Sequence, residues 1–204
     1  MVVGDVARGD GSDYSACHVI DVATNTQVAE YRGQLGTKEY GHLLVQVATE
    51  WNGALLVCEN ANIGWSTVQT IIDLEYKNFY YSPKSGNVDI SSYTSGYEDT
   101  SKMTAGFTMS GTTRPLALAK FREAVNEKSV VIRSKRLYEE MKVFIWKNGR
   151  PEAQSGYNDD LIMSFSMGMY LRDTSLKSKQ HGLDMTRAAL NNISSTKNNM
   201  GGYG

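Results

Sequence analysis

Two short β-rich runs open the chain, Val2–Ala7 and Tyr14–Val22, separated by the turn-forming stretch Arg8-Gly9-Asp10-Gly11-Ser12-Asp13. A third run, Gln27–Arg32, follows Thr24-Asn25-Thr26, so the N-terminal region predicts a three-strand antiparallel meander. Between Thr37 and Trp51 the apolar period lengthens. Tyr40, Leu43, Leu44, Val47 and Trp51 recur at helical spacing. Ala54–Cys58 is an uninterrupted apolar run bounded by polar residues, the pattern of a strand buried on both faces. Trp65–Lys77 is amphipathic and helical, and Phe79-Tyr80-Tyr81 before Pro83 predicts a short strand.

Periodicity fades over Lys84–Thr112, which is rich in Ser, Gly, Thr and Tyr and predicts a long mobile surface segment. It returns in Thr113–Lys128, a helix with Leu116, Lys120 and the pair Phe121 and Val125 on successive turns. Val130-Val131-Ile132 predicts a strand, Lys135–Trp146 contains a helix, and Asn148-Gly149 signals a tight turn. Asp159–Leu171 is apolar on most sides and predicts a buried helix, after which the chain turns polar. The expected organisation is one domain over 1–172, with 84–112 as its insert, and a flexible polar tail over 173–204. The element order at the start (three strands, helix, strand, helix, strand) is that of the ribonuclease H fold. This α/β class has a central mixed sheet, an antiparallel meander plus parallel strands, flanked by helices.

At 204 residues with 41% hydrophobic content, the chain is long enough to bury one real core. No apolar run reaches transmembrane length and no signal segment opens the chain, so a soluble, intracellular protein is expected, with no membrane partner. Cys17 and Cys58 lie inside apolar runs and read as buried reduced thiols. None of His18, His42 and His181 neighbours a serine or cysteine in a nucleophile motif, which removes the case for a triad hydrolase. The net charge of −1 conceals an asymmetry: residues 1–99 hold 5 basic and 13 acidic side chains, residues 114–150 hold 10 basic and 4 acidic. Such a basic wall beside an acidic region suits a polyanion held near divalent cations, although solvated helix faces explain the charge equally well.

The acids themselves narrow the chemistry. Asp5 interrupts Val2-Val3 and Val6-Ala7, Glu59 follows Leu55-Leu56-Val57-Cys58, and Asp159-Asp160 open a helix after Asn158. Each has a plain structural reading, a strand-end turn in the first two cases and helix capping in the third. Together, at strand ends and a helix start, they predict a carboxylate cluster that needs cations to neutralise it. Magnesium or manganese, as a pair for phosphodiester hydrolysis, fits that donor set. Successive helical residues point about 100° apart, so the two aspartates cannot serve one ion equally. Asp159 is expected to be the direct ligand and Asp160 a water-mediated one. Asp10 and Asp13 read as turn residues.

With these residues in view, the chain resembles the nuclease domain of the large terminase subunit of tailed phages, most like the T-even kind. The likeness runs from Val2 to Arg172. It rests on Gly4-Asp5-Val6-Ala7-Arg8-Gly9 followed by Asp13-Tyr14-Ser15-Ala16, on Glu59-Asn60-Ala61-Asn62-Ile63-Gly64, and on Gly156-Tyr157-Asn158-Asp159-Asp160-Leu161-Ile162-Met163. The resemblance implies a ribonuclease H-like endonuclease that cuts concatemeric double-stranded DNA in the cytoplasm of an infected host. Its Mg²⁺ or Mn²⁺ ligands and catalytic acids would be Asp5, Glu59, Asp159 and Asp160, and its partners the terminase ATPase domain, the portal protein and the small terminase subunit. Asn158 stands where many relatives carry His. No Gly-x-x-x-x-Gly-Lys-Ser/Thr phosphate loop occurs, so the ATPase half is absent and the chain is expected to be a C-terminal domain.

Charge density makes Arg114, Lys120, Arg133, Lys135, Arg136 and Lys147 the candidate DNA contacts. Two alternatives stay open: another ribonuclease H-like enzyme of resolvase or integrase type, and a non-catalytic module that docks a portal or partner protein.

Overall fold

Strand β1 (Val2–Asp5) lies inside a four-stranded sheet with β2 (Ser15–Asp21), β3 (Thr26–Gly33) and β4 (Leu56–Cys58), in the order β3-β2-β1-β4. It runs antiparallel to β2 and parallel to β4, which gives the mixed sheet expected from the sequence. A computed structural model describes residues 1–11, 13–83, 103–147 and 150–173, with main chain alone at 83, 146, 147 and 150.

Alternation along β1 and β4 divides the core in two. Val2, Leu56 and Cys58 pack with Tyr40 and Leu44 of α1 (Thr37–Glu50) and with Val68 and Ile71 of α2 (Gly64–Asp73). Val3 and Val57 enter the opposite cluster, with Leu161, Ile162, Phe165 and Met167 of a last helix, α5 (160–173). These four residues of α5 are at most 1% exposed, in keeping with a helix whose sequence is apolar nearly all round. Both faces of the central strands are therefore covered. That is why their sequences read as continuous apolar runs.

Expected and observed elements differ at two places. The strand expected at Phe79–Tyr81 is replaced by β5 (Tyr81–Pro83), paired antiparallel with β6 (Met103–Ala105) inside the segment expected to lack structure. The cause lies at the outer edge of β4, whose polar groups need partners. Tyr80 N–H donates to Leu56 O (2.9 Å) and Phe107 N–H to Cys58 O (2.7 Å), so short aperiodic pieces complete the edge. The remainder of that segment, 84–102, lies outside the described residues.

Val130–Ile132 forms no strand. Val131 alone bridges to Thr26, and the N–H groups of Arg133 and Ser134 donate instead to the side-chain oxygen of Gln27, both at 2.8 Å. The helix predicted within Lys135–Trp146 is present. α4 (Lys135–Val143) follows α3 (Thr113–Asn126) and gives way to a hairpin of β7 (Phe144–Lys147) and β8 (Arg150–Ala153). The expected turn at 148–149 and the tail after 173 lie outside the described residues.

No helix among the described residues is long and apolar enough to cross a membrane. Cys17 and Cys58 are both buried and free; burial raises both thiols, Cys17 to about 12, so they remain protonated packing groups.

Candidate metal centre

Parallel register brings the first two acids together. Gly4 pairs with Cys58, and Glu59 N–H donates to Gly4 O at 3.1 Å, so Asp5 and Glu59 leave adjacent strands at one level. Asp5 shares its face with Val3, and Glu59 shares its face with Val57, which is the face against α5. The backbone around Glu59 is tightly enclosed: a Cβ on Gly64 would sit 2.4 Å from Glu59 O, and one on Gly106 (φ +81°) would sit 2.7 Å from Cys58 O. Asn60 donates its amide to Ala105 O (2.8 Å) and Thr108 Oγ1 (3.1 Å), tying the turn after β4 to β6 and the segment that follows it.

The first turn of α5 brings the other two. Burial, a hydrogen bond with Glu59 and the charges of Glu59, Asp160 and Asp159 together push the Asp5 carboxyl well above the usual carboxylate range. The charges of the other three acids thus reach Asp5. Burial also raises Asp160, against hydrogen bonds donated to its Oδ2 by Tyr14 N–H (3.3 Å) and the Asn158 amide (3.1 Å). Asp159 differs from it, because its Oδ2 accepts from Arg114 Nη2 at 2.8 Å in a partly exposed ion pair. Among the described residues, no three His, Cys, Asp or Glu side chains are already grouped so as to hold a metal ion. The cluster is a crowded set of carboxylates and not a closed cage.

No family model matches the chain. Solved structures do. The large terminase nuclease of thermophilic phage G20c, with bound cobalt, covers 82% of this chain and 78% of its own at 12% identity and a TM-score of 0.61. The same nuclease with bound magnesium has 13% identity, equal coverage and the same TM-score. The large terminase nuclease domain of Thermus phage P74-26 covers 81% of this chain and 75% of its own at 16% identity and a TM-score of 0.57. The fold is that of the large-terminase nucleases. The ribonuclease H-like class expected from element order is therefore correct.

Within this terminase-nuclease fold, the other sequence candidates scatter. Asp10 and Asp13 are exposed in the loop after β1. Of the basic candidates, Arg114 is the one with a described bond to the acids. Lys120 pairs with Glu123 on the exposed side of α3, Arg136 pairs with Glu30, and Arg133 and Lys135 are exposed around the start of α4. The side chain of Lys147 lies outside the described residues. His18 is buried and neutral, lowered to about 4 by burial; its Nε2 lies 3.0 Å from Leu161 O and its Nδ1 2.8 Å from the Gln27 amide.

One residue escaped the sequence reading altogether. Glu140 of α4 is buried, and its Oε2 accepts the N–H groups of Leu161 (3.0 Å) and Ile162 (3.2 Å) at the start of α5. Burial raises its carboxyl to about 7. A signal existed, since Glu140 stands three residues after buried Leu137 and so falls on the apolar stripe of its helix.

Proposed function

We propose that the chain is the nuclease domain of a tailed-phage large terminase of the T-even-like kind, a metal-dependent endonuclease that cuts concatemeric double-stranded DNA in the host cytoplasm. The observation that supports this reading is that burial, then a hydrogen bond with Glu59 and the charges of Glu59, Asp160 and Asp159, raise the Asp5 carboxyl well above its ordinary value. Such a set favours a hard divalent cation, because all its donors are carboxylate oxygens. The cobalt and magnesium bound to the G20c nuclease support the same choice. A pair of Mg²⁺ or Mn²⁺ ions there would acidify the attacking water and stabilise the leaving oxygen of an in-line displacement.

The chain's own residues set the geometry. Asp5 and Glu59 would hold cations from the strand ends. Asp160, whose charge acts on Asp5 more strongly than that of Asp159, would hold them from the helix. That assignment reverses the order expected from sequence, since Arg114 already neutralises Asp159. Arg114, beside Asp159, would then offer its guanidinium to a phosphate of the bound strand. Binding to the duplex would be phosphate-dominated and weak in sequence preference. In a packaging motor the domain would work with a terminase ATPase domain, a portal protein and a small terminase subunit.

The test is nicking of supercoiled plasmid by purified protein in Mg²⁺ or Mn²⁺, with EDTA as control, beside Asp5→Asn, Glu59→Gln and Asp160→Asn. Cleavage confined to metal-loaded wild type is expected. Cleavage that survives all three substitutions contradicts the metal site, and an inactive wild type favours a docking module. Preference for branched DNA, or strand transfer, would point to a resolvase or integrase.

A further inference from the structure

We infer that Glu140 is a positioning residue of this site: it takes over the capping of α5, so that Asp159 is left to pair with Arg114 and Asp160 to face the strand-end acids. The inference rests on the nuclease reading above. In an ordinary helix the side chain at the N-cap accepts the N–H of the second or third helical residue. With α5 beginning at 160, those residues are Leu161 and Ile162, and the N-cap is Asp159. Aspartate is a favoured cap, yet Asp159 turns its carboxylate to Arg114. Both N–H groups go instead to one oxygen of Glu140, from a different helix.

The rest of the Glu140 environment closes a circuit back to the same acids. Arg32 of β3 places Nη1 3.6 Å from Glu140 Oε1. Its guanidinium lies over the Tyr14 ring, 4.2 Å from the centroid, and the N–H of Tyr14 donates to Asp160 Oδ2. Glu140 therefore meets the start of α5 from one side, while its ion-pair partner braces the residue that holds Asp160 from the other. A buried carboxylate is costly to keep in a core and is retained where it is hydrogen-bonded and paired. Here its hydrogen bonds fix the turn on which two candidate ligands stand.

Mn²⁺ binding by calorimetry on the whole chain, without DNA, separates this role from simple stabilisation. Glu140→Ala removes the cap, Asp159 is then drawn from Arg114 back to its own helix, and the first turn that carries Asp160 shifts with it. Mn²⁺ affinity should fall about 10- to 100-fold, the range seen when groups orienting metal ligands are lost. Glu140→Gln keeps one acceptor and the fold, and should fall between Ala and wild type. Leu137→Ala, which removes buried apolar atoms from the same helix, should lower the unfolding temperature while leaving Mn²⁺ affinity unchanged. Equal affinity in Glu140→Ala and wild type overturns the positioning role and leaves the nuclease reading standing, as does equal weakening by Leu137→Ala. A wild-type protein that binds no Mn²⁺ overturns the nuclease reading and the inference with it.

Discussion

Asp5 and Glu59 are held by a ladder, whereas Asp159 and Asp160 are held by side chains and loops from elsewhere in the chain. The strand-end pair needs only register and alternation: main-chain hydrogen bonds between β1 and β4 fix both the level and the face of each carboxylate. The helix-end pair depends on Glu140 for its helix start, on Arg114 for Asp159, and on Tyr14 and Asn158 for Asp160. A rigid sheet can present acids unaided, but a helix terminus that gives its capping residues to a site must be capped from outside. The strand pair should therefore tolerate side-chain changes around it and yield only to changes that move its main chain, whereas the helix pair should depend on the side chains that hold it.

The largest expected effect comes from breaking the rigid half. Asp5→Asn should reduce plasmid nicking by roughly 10³-fold or more, as when one member of a group acting as a unit is lost. Asp160→Asn should approach that loss and Asp159→Asn fall short of it, measured in the same assay. Equal losses from the two aspartates would remove the distinction drawn from Arg114.

Acid stability probes the buried support of the helix half in protein stripped of metal. Burial lowers His18 from 6.5 to about 4, so its contribution is complete above pH 6.5 and is lost as pH falls towards 4, at a cost of about 3 kcal/mol. Glu140 works in the opposite sense. Burial raises it from 4.5 to about 7, so its contribution is complete below pH 4.5 and is lost as pH rises through 7. The two oppose each other between pH 4.5 and 6.5. Glu140→Gln should therefore lose stability more steeply than wild type as pH drops from 7.5 to 5, read from urea midpoints. Parallel pH profiles would contradict this account of the layer.

Smaller still is Gly64→Ala, in which the new methyl group meets the Glu59 carbonyl. It should cost roughly 1–3 kcal/mol of stability, the range for overpacking, and should lower nicking through displacement of Glu59. Unchanged stability would mean that the ladder yields more easily than supposed. The smallest effect belongs to Lys120→Ala on exposed α3. If Lys120 meets a phosphate, the salt slope of duplex binding should drop by about one, measured by fluorescence anisotropy over a salt series.

How much of this was legible in the sequence follows the same division. Buried strands announce themselves as apolar runs, so β1 and β4 could be located within Val2–Ala7 and Ala54–Cys58, although both runs overreach the strands Val2–Asp5 and Leu56–Cys58. The helix start could be located too, from Asp159-Asp160 before an apolar stretch. What holds it could not. Glu140 falls on the stripe of Leu137, but nothing in the sequence links that stripe to the start of α5, whose N–H groups it accepts. Gln27, whose side chain accepts the N–H groups of Arg133 and Ser134, likewise has no local signature. The missed strand and the shifted β5 share that cause: pairing at an edge depends on which main-chain groups lack partners, a property of the assembled sheet.

Diffraction at a wavelength sensitive to manganese, from crystals grown with Mn²⁺, tests the central claim most directly. Anomalous peaks are expected between the ends of β1 and β4 and the first turn of α5, with Asp5, Glu59 and Asp160 as ligands. Manganese bound elsewhere, or absent from that gap in protein that still nicks DNA, would contradict it.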